Sequence, residues 1–119
     1  MLTDVGMEQR VYLACGSTDM RKSIDGLAAL VQVSFELDPF SPCLFVFCNR
    51  QRDKLKILHW QYNGFWLYYR RLERGRFEWP DATKNKTVLV SRRELNWLLD
   101  GLSLVQKMAY PKVTVRRVI

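Results

Sequence analysis

Arginine and lysine side chains are concentrated between residues 50 and 76, in a stretch that is also rich in aromatic side chains. Eight of the 15 aromatic residues of the chain lie between Trp60 and Trp79, together with four arginines. Arginine contacts phosphate groups and aromatic rings can stack on nucleobases, so the combination is typical of a nucleic-acid-binding surface. Aromatic residues also form strands and fill cores, and this second interpretation stays open for Trp66 and Tyr68. The candidate nucleic-acid-binding residues of this stretch are Arg50, Arg52, Lys54, Lys56, Trp66, Tyr68, Arg70, Arg71, Arg74 and Arg76.

Two further pairs of basic residues stand at predicted helix starts. Arg21-Lys22 follows Ser17-Thr18-Asp19, which predicts an N-cap with an acid in the first turn, and Arg92-Arg93 follows Ser91. The helix dipole disfavours cations in a first turn. A phosphate held by the free N–H groups of the turn would explain the placement, and ordinary solvated surface charge would explain it as well. These four residues are therefore additional candidate nucleic-acid contacts.

The sequence carries no recognisable catalytic or metal-binding motif. It has no nucleophile elbow, no glycine-rich phosphate loop and no paired metal-ligand spacing, and His59 is the single histidine. Three cysteines, Cys15, Cys43 and Cys48, are an odd number without paired spacing, which is typical of a reducing compartment. We therefore expect a protein that is not an enzyme and that uses no metal and no cofactor.

Charge and apolar patterning narrow the class of protein further. The formal net charge is +7, with −3 in residues 1–40 and +5 in each of residues 41–80 and 81–119. No apolar run approaches the roughly 18 residues that a membrane span needs, and the N-terminal residues lack the apolar core of a secretory signal. We therefore expect a cytoplasmic protein without membrane contact, whose basic charge serves an anionic partner or solubility.

The apolar patterns predict a single α+β domain over residues 1–119. The predicted strands are residues 10–14, 44–48, 54–61, 65–72 and 87–90. Apolar residues at helical spacing from Met20 to Val31 predict one long helix, and the Ser91-x-x-Glu94 capping box predicts a short C-terminal helix. The expected architecture is an antiparallel β-meander packed against the long helix. A tail of residues 108–119 is expected to be flexible until it meets a partner.

The Asn63-Gly64 dipeptide predicts a type I′ turn joining the third and fourth strands. With that turn, Lys56 lies directly opposite Arg71, and a like-charge cross-strand pair destabilises a ribbon. An anion is therefore expected beside this pair. Either Glu73 supplies it from the chain itself, or a bound phosphate backbone does.

Several motifs along the chain resemble one known family. Thr18-Asp-Met-Arg-Lys-Ser-Ile-Asp-Gly-Leu27, Asn63-Gly-Phe-Trp-Leu67, Arg71-Leu-Glu-Arg-Gly-Arg-Phe77, Trp79-Pro80 and Leu95-x-Trp97-Leu-Leu-x-Gly101 occur in the order of the TnpB accessory proteins of insertion-sequence-66-type elements. The resemblance implies a role in DNA transposition beside a separate transposase, and it brings no established catalytic residues. We expect a non-enzymatic factor that binds nucleic acid through the basic, aromatic-rich ribbon. The alternative is an adaptor that binds the transposase of the same element without contacting DNA.

The C-terminal part of the chain is where the adaptor interpretation finds candidate partner-binding residues. Trp97 falls away from the centre of the leucine stripe of the last predicted helix, and Val113 and Val115 alternate with polar residues in the tail. An exposed tryptophan suits an interface, and an alternating tail can add a strand to the sheet of a partner or of a second copy. Alternatively, Trp97 packs on its own sheet and the tail closes it.

Overall fold

A five-stranded sheet forms the centre of the structure, a computed structural model in which residues 9–101 are described. The strands stand in the order β4-β3-β2-β1-β5. Their bounds are β1 Val11–Ala14, β2 Leu44–Cys48, β3 Lys54–Gln61, β4 Gly64–Arg71 and β5 Thr87–Val90. Strands β2, β3 and β4 form the expected antiparallel meander, and β5 pairs antiparallel with β1. Strands β1 and β2 are parallel. The helical segment between them forms the crossover connection that a parallel pair requires. This parallel pair was not predicted from the sequence.

The helices are shorter than the pattern of apolar residues predicts. Helix α1, Ile24–Ala29, runs into a π-helical segment, Leu30–Ser34, and the two together span 11 residues. The prediction of one long helix is therefore wrong. The Asp19 carboxylate accepts the backbone N–H of Arg21 at 2.9 Å, which closes a turn before the helix, and Ser23 becomes the N-cap. Arg21 and Lys22 consequently precede α1 and do not lie in its first turn.

Helix α2, Arg92–Leu99, begins as predicted. Ser91 Oγ accepts the Glu94 N–H at 3.0 Å, and the Glu94 carboxylate accepts the Ser91 N–H at 2.7 Å. This reciprocal pair is the capping box, which satisfies two backbone donors that a helix start leaves free. Arg92 and Arg93 are therefore in the first turn of a helix.

Apolar clusters cover both faces of the sheet. On one face, Leu27 and Val31 pack with Phe45 and Phe47 of β2. On the other face, the buried partners of the sheet come from α2 and from the segment after β4, and they are Leu95, Leu98, Phe77 and Trp79. All five residues of β2 are buried, as expected for a strand covered on both sides. The architecture is α+β with a mostly antiparallel sheet.

The β3–β4 hairpin turns at Tyr62-Asn63 and not at Asn63-Gly64. Both turn residues have positive φ, 52° and 75°, and Gln61 pairs with Gly64. The register is therefore two residues from the predicted one, and Lys56 pairs with Tyr69 instead of Arg71. A shift of two residues leaves every side chain on its predicted face, because the side-chain period of a strand is two.

No helix within residues 9–101 is long and apolar enough to cross a membrane.

Candidate nucleic-acid interface

Two loops meet at the end of the sheet where β2 and β4 finish. One connects β2 to β3 and spans residues 49–53, and the other, residues 72–77, follows β4. Backbone hydrogen bonds join them, from Leu72 N to the Asp53 carbonyl at 2.8 Å and from Phe77 N to the Arg52 carbonyl at 2.7 Å. This contact gathers candidates that are distant in sequence. We call the group the basic end, and its members are Arg50, Arg52, Lys54, Arg70, Arg71, Arg74 and Arg76.

Asn49 shapes the first of these loops. Its Oδ1 accepts the N–H groups of Asp53 and Lys54, both at 3.0 Å, and its Nδ2 donates to the Asp53 carboxylate at 2.8 Å. The hydrogen bond from Asn49, together with the nearby Lys54 charge, lowers the pKa of Asp53. Asn49 was not among the functional residues predicted from the sequence. An asparagine that opens a polar loop is nevertheless a turn signal, because its side chain mimics backbone acceptors.

We expect Asn49→Ala to lower the free energy of unfolding by about 1–3 kcal/mol, because two loop N–H groups lose their acceptor in a site that is only 8% exposed. Urea denaturation of both proteins measures the change. Gln51→Ala is the matched control, since Gln51 is exposed and its side chain makes one contact with Asn49, at 3.2 Å. Equal destabilisation by the two substitutions would contradict this role of Asn49.

Three cations of the basic end are paired with carboxylates. The pairs, with their N–O distances, are Arg52–Asp81 (3.1 Å), Lys54–Asp53 (3.5 Å) and Arg71–Glu73 (2.9 Å). Each pair is at least one-third exposed, so each contributes little to stability. The Glu73 contact agrees with the interpretation that the chain itself supplies the anion beside Arg71.

The other four arginines of the basic end have exposed side chains, and no carboxylate of residues 9–101 forms an ion pair with them. They are Arg50, Arg70, Arg74 and Arg76. Within residues 9–101 their guanidinium groups also make no side-chain hydrogen bond, which suits them to an external acceptor. Guanidinium donors match the geometry of phosphate oxygens, and several of them at one end of a sheet create a positive surface potential.

Lys56 has a structural role that its sequence position did not reveal. Its Nζ donates to the backbone carbonyls of Met20 at 2.8 Å and Lys22 at 2.9 Å, and it lies 6.0 Å from the centre of the Tyr69 ring. The predicted Lys56–Arg71 pair is wrong, because the register places Tyr69 opposite Lys56 and Lys54 opposite Arg71. The Lys56 charge instead holds the segment before α1.

Arg21 and Lys22 lie on that segment, and both side chains are exposed. Arg21 makes an ion pair with Asp19 at 2.8 Å, and its hydrogen bonds lower the pKa of that carboxyl to about 2. Their assignment as phosphate contacts stays a prediction, without the helix-start geometry that suggested it.

A cleft separates the segment before α1 from the basic end. One part, of about 490 Å³, is lined by Ser17, Thr18, Arg50 and Gln51, among others. An adjoining part, of about 500 Å³, is lined by Arg21, Lys54, Lys56 and Tyr69. The two parts share Met20 and Lys54, so Arg21 lies along the same cleft as Arg50 and Lys54. Asp19, the ion-pair partner of Arg21, also lines the first part.

Trp66 and Tyr68 lie on β4, one of the two outer strands of the sheet. Their rings are nearly parallel, with an angle of 12° and 6.1 Å between centroids. Trp66 is 52% exposed, whereas Tyr68 is half-buried and packs against the core cluster on its face. Arg70 follows on the same face, so a tryptophan, a tyrosine and an arginine stand in one row.

The candidates at the start of α2 lie at the opposite end of the sheet. The Arg92 guanidinium donates to Gln9 Oε1 at 3.2 Å, and Gln9 Nε2 is 3.2 Å from His59 Nε2. Burial, and then the Arg92 charge, lower the pKa of His59. Arg93 is exposed and stays outside this network. The link through Gln9 has no local sequence signal, because Gln9 is 50 residues from His59.

The predicted partner-binding residues are only in part within the described chain. The Trp97 side chain on α2 is half-buried. Its exposure is therefore intermediate between the two alternatives, an exposed interface residue and a residue packed on its own sheet. Val113, Val115 and the whole tail 108–119 lie outside the described residues.

The cysteines and acids form no metal-binding cluster within residues 9–101. Cys48 is fully buried in β2, and burial raises the pKa of its thiol to about 12, so the reactive thiolate form is suppressed at neutral pH.

Comparison with known proteins gives one family and two close relatives. The family model described as IS66 Orf2 like protein matches residues 9–109. An uncharacterized protein of Sinorhizobium fredii, y4hO, is 39% identical over 97 residues, which cover 82% of this chain and 84% of the relative. A second uncharacterized protein of that organism, y4jC, is 32% identical over 93 residues, or 78% and 79% of the two chains. No solved structure matches.

Proposed function

Because this chain belongs to the IS66 Orf2-like family of TnpB proteins, we propose that it is a DNA-binding accessory factor of transposition. Membership implies an accessory role in transposition of an IS66-type element. The two relatives are uncharacterized and add no activity. The proposal adds that the protein binds DNA without cutting it, beside the transposase of the same element.

The observation that carries this proposal is the set of four exposed arginines without carboxylate partners in the described chain: Arg50, Arg70, Arg74 and Arg76. Exposed arginines with no internal counterion are suited to phosphate oxygens, which they contact through two parallel N–H groups. Backbone hydrogen bonds of 2.8 and 2.7 Å join loop 49–53, which carries Arg50, to the segment after β4, which carries Arg74 and Arg76. These cations therefore lie at one end of the sheet, and Arg70 is near the end of β4 on the same side.

A DNA titration at several salt concentrations tests the proposal. We expect the full-length protein to bind a labelled duplex, with an affinity that falls steeply between about 50 and 200 mM salt, because phosphate contacts release counterions. Fluorescence anisotropy measures both the affinity and the salt slope. Absence of binding at the lowest salt concentration would contradict the proposal that the protein binds DNA.

A second candidate function is an adaptor that binds the transposase through protein contacts alone. The observation that favours it is Leu89, which is 53% exposed on β5, the other outer strand of the sheet. Apolar residues on an outer strand suit the addition of a partner strand. Co-purification of the two proteins, abolished by Leu89→Lys and retained when the basic end is altered, would support this second function.

A further inference from the structure

Strand β4 carries exposed aromatic rings along an edge that no strand of the described chain covers. It is the first strand in the sheet order, so its outer N–H and C=O groups face away from β3. Trp66 is 52% exposed, although tryptophan is on average among the more buried residues. Contact between water and this apolar surface is unfavourable in free energy. A flat apolar ligand that covered Trp66 would remove this contact with water.

The Trp66 ring has a fixed support. Tyr68 stands two residues further along the same face, half-buried on the core, and its ring is stacked nearly parallel to Trp66 with 6.1 Å between centroids. Trp66 therefore presents one ring face from a preformed position. A preformed surface loses less conformational entropy on binding than a mobile side chain does.

A shallow cavity continues this surface to the hairpin turn. It has a volume of about 330 Å³ and is lined by Gln61, Tyr62, Phe65 and Trp66, among others. Tyr62 is 89% exposed at the turn itself. Tyr62 and Trp66 thus offer flat aromatic side chains from the turn into β4, while Phe65 lies on the other face of the strand beside Trp60.

Towards the C-terminal end of β4, the face that carries Trp66 and Tyr68 also carries a positive charge. Arg70 lies four residues after Trp66 on the same face, about 13 Å away at the usual rise of a strand. Its side chain is exposed and forms no ion pair within the described residues, and Arg74 and Arg76 follow on the next segment. Aromatic faces followed by arginines match a polymer with alternating flat bases and phosphates.

Resting on the proposed function, we propose that the β4 surface binds an unpaired DNA strand, with a base stacked on Trp66 and the backbone phosphates on Arg70 and the basic end. Unpaired bases offer their faces for stacking, whereas a duplex offers only base edges in its grooves. A ring face that stacks needs the face of a base, so stacking on Trp66 requires an unpaired base. The basic end, in contrast, contacts phosphates in either form of DNA.

The test compares a labelled oligothymidylate with a labelled blunt duplex, each titrated with the full-length protein. We expect Trp66→Leu to weaken single-strand binding about ten-fold without changing duplex affinity, because only the strand with free bases loses a stacking contact. Trp66→Phe keeps a ring face and should restore most of the affinity. The salt slope should be unchanged in both variants, since neither alters a charge.

Tyr69→Leu is the matched control, because Tyr69 is 54% exposed on the same strand but on the opposite face. It should change single-strand affinity less than two-fold. As a second measurement, Arg70→Gln should flatten the single-strand salt slope by about 0.7, the value for one phosphate contact. Oligothymidylate should also quench the tryptophan fluorescence of the unaltered protein, and this quench should shrink in Trp66→Phe.

The outcomes separate the two proposals. Unchanged single-strand affinity in a cooperatively folded Trp66→Leu protein overturns the stacking surface, while salt-dependent duplex binding would leave the proposed function standing. Loss of self-association or of transposase binding in Trp66→Leu, with single-strand affinity intact, identifies β4 as a protein interface and also overturns it. If neither DNA form binds, both proposals fall.

Discussion

Replacing Phe77 by alanine is expected to lower the free energy of unfolding by about 3–5 kcal/mol. Phe77 is 1% exposed and lies in the core cluster with Trp79, Leu95 and Leu98. Removal of the ring leaves a cavity under the segment that follows β4, and neighbouring side chains relax into it only in part. Urea denaturation should show a lower midpoint with an unchanged m-value.

The same substitution should also weaken DNA binding, because the buried Phe77 ring anchors the segment that carries Arg74 and Arg76. Alanine keeps the N–H that donates to the Arg52 carbonyl, but without the ring this segment is held less firmly beside loop 49–53. Phe40→Ala is the matched control, since the Phe40 ring is 53% exposed and contacts Trp60 and Phe65 at the surface. It should cost much less than Phe77→Ala. A loss below about 1 kcal/mol for Phe77→Ala would show that this segment is not part of the core.

The elements with strong local signals could be predicted from the sequence. Strands β2, β3 and β5 have the predicted bounds, because each is a short apolar or alternating run between polar turns. The start of α2 was predicted from Ser91 and Glu94, whose side chains determine the capping geometry locally. Where the chemistry that specifies an element lies within a few residues, the sequence is sufficient.

The hairpin register could not be predicted in this way, because a distant contact decides it. Asn63-Gly64 is a strong turn signal, yet the observed turn places Trp60 opposite Phe65, with ring centroids 4.9 Å apart. Phe40, from a loop 20 residues earlier, packs edge-on against Trp60 at 4.9 Å. We attribute the register to this aromatic cluster, which rewards the turn at Tyr62-Asn63 despite the positive φ of a tyrosine.

The basic candidates were found by type and position, but their availability depends on distant partners. Lys56 is bound to carbonyls 34 and 36 residues away, and Arg52 is paired with Asp81, 29 residues away. Charge counting along the chain cannot separate these cations from Arg74 and Arg76, which have no carboxylate partner in the described part of the chain. The structure therefore separates the basic candidates that have internal partners from the few arginines that have no carboxylate partner in the described residues.

Reversal of two of these charges should produce the largest change in DNA binding. We expect Arg74→Glu combined with Arg76→Glu to weaken duplex binding about a hundred-fold at roughly 50 mM salt, and to flatten the salt slope by about 2. Each lost phosphate contact removes about one unit of slope because one fewer counterion is released. Anisotropy titrations over a range of salt concentrations measure both quantities.

The matched control is Arg10→Glu combined with Arg93→Glu, which changes the net charge by the same amount on two exposed arginines. Arg10 precedes β1, and its carbonyl accepts the N–H of Leu44, the first residue of β2. Arg93 is in the first turn of α2. Both therefore lie at the end of the sheet away from the basic end. If net charge alone attracted DNA, the two double variants would bind equally weakly; if the basic end is the contact surface, the control keeps nearly the full salt slope. An intact slope in the Arg74 and Arg76 variant, with a reduced slope in the control, would instead assign the phosphate contacts to the start of α2.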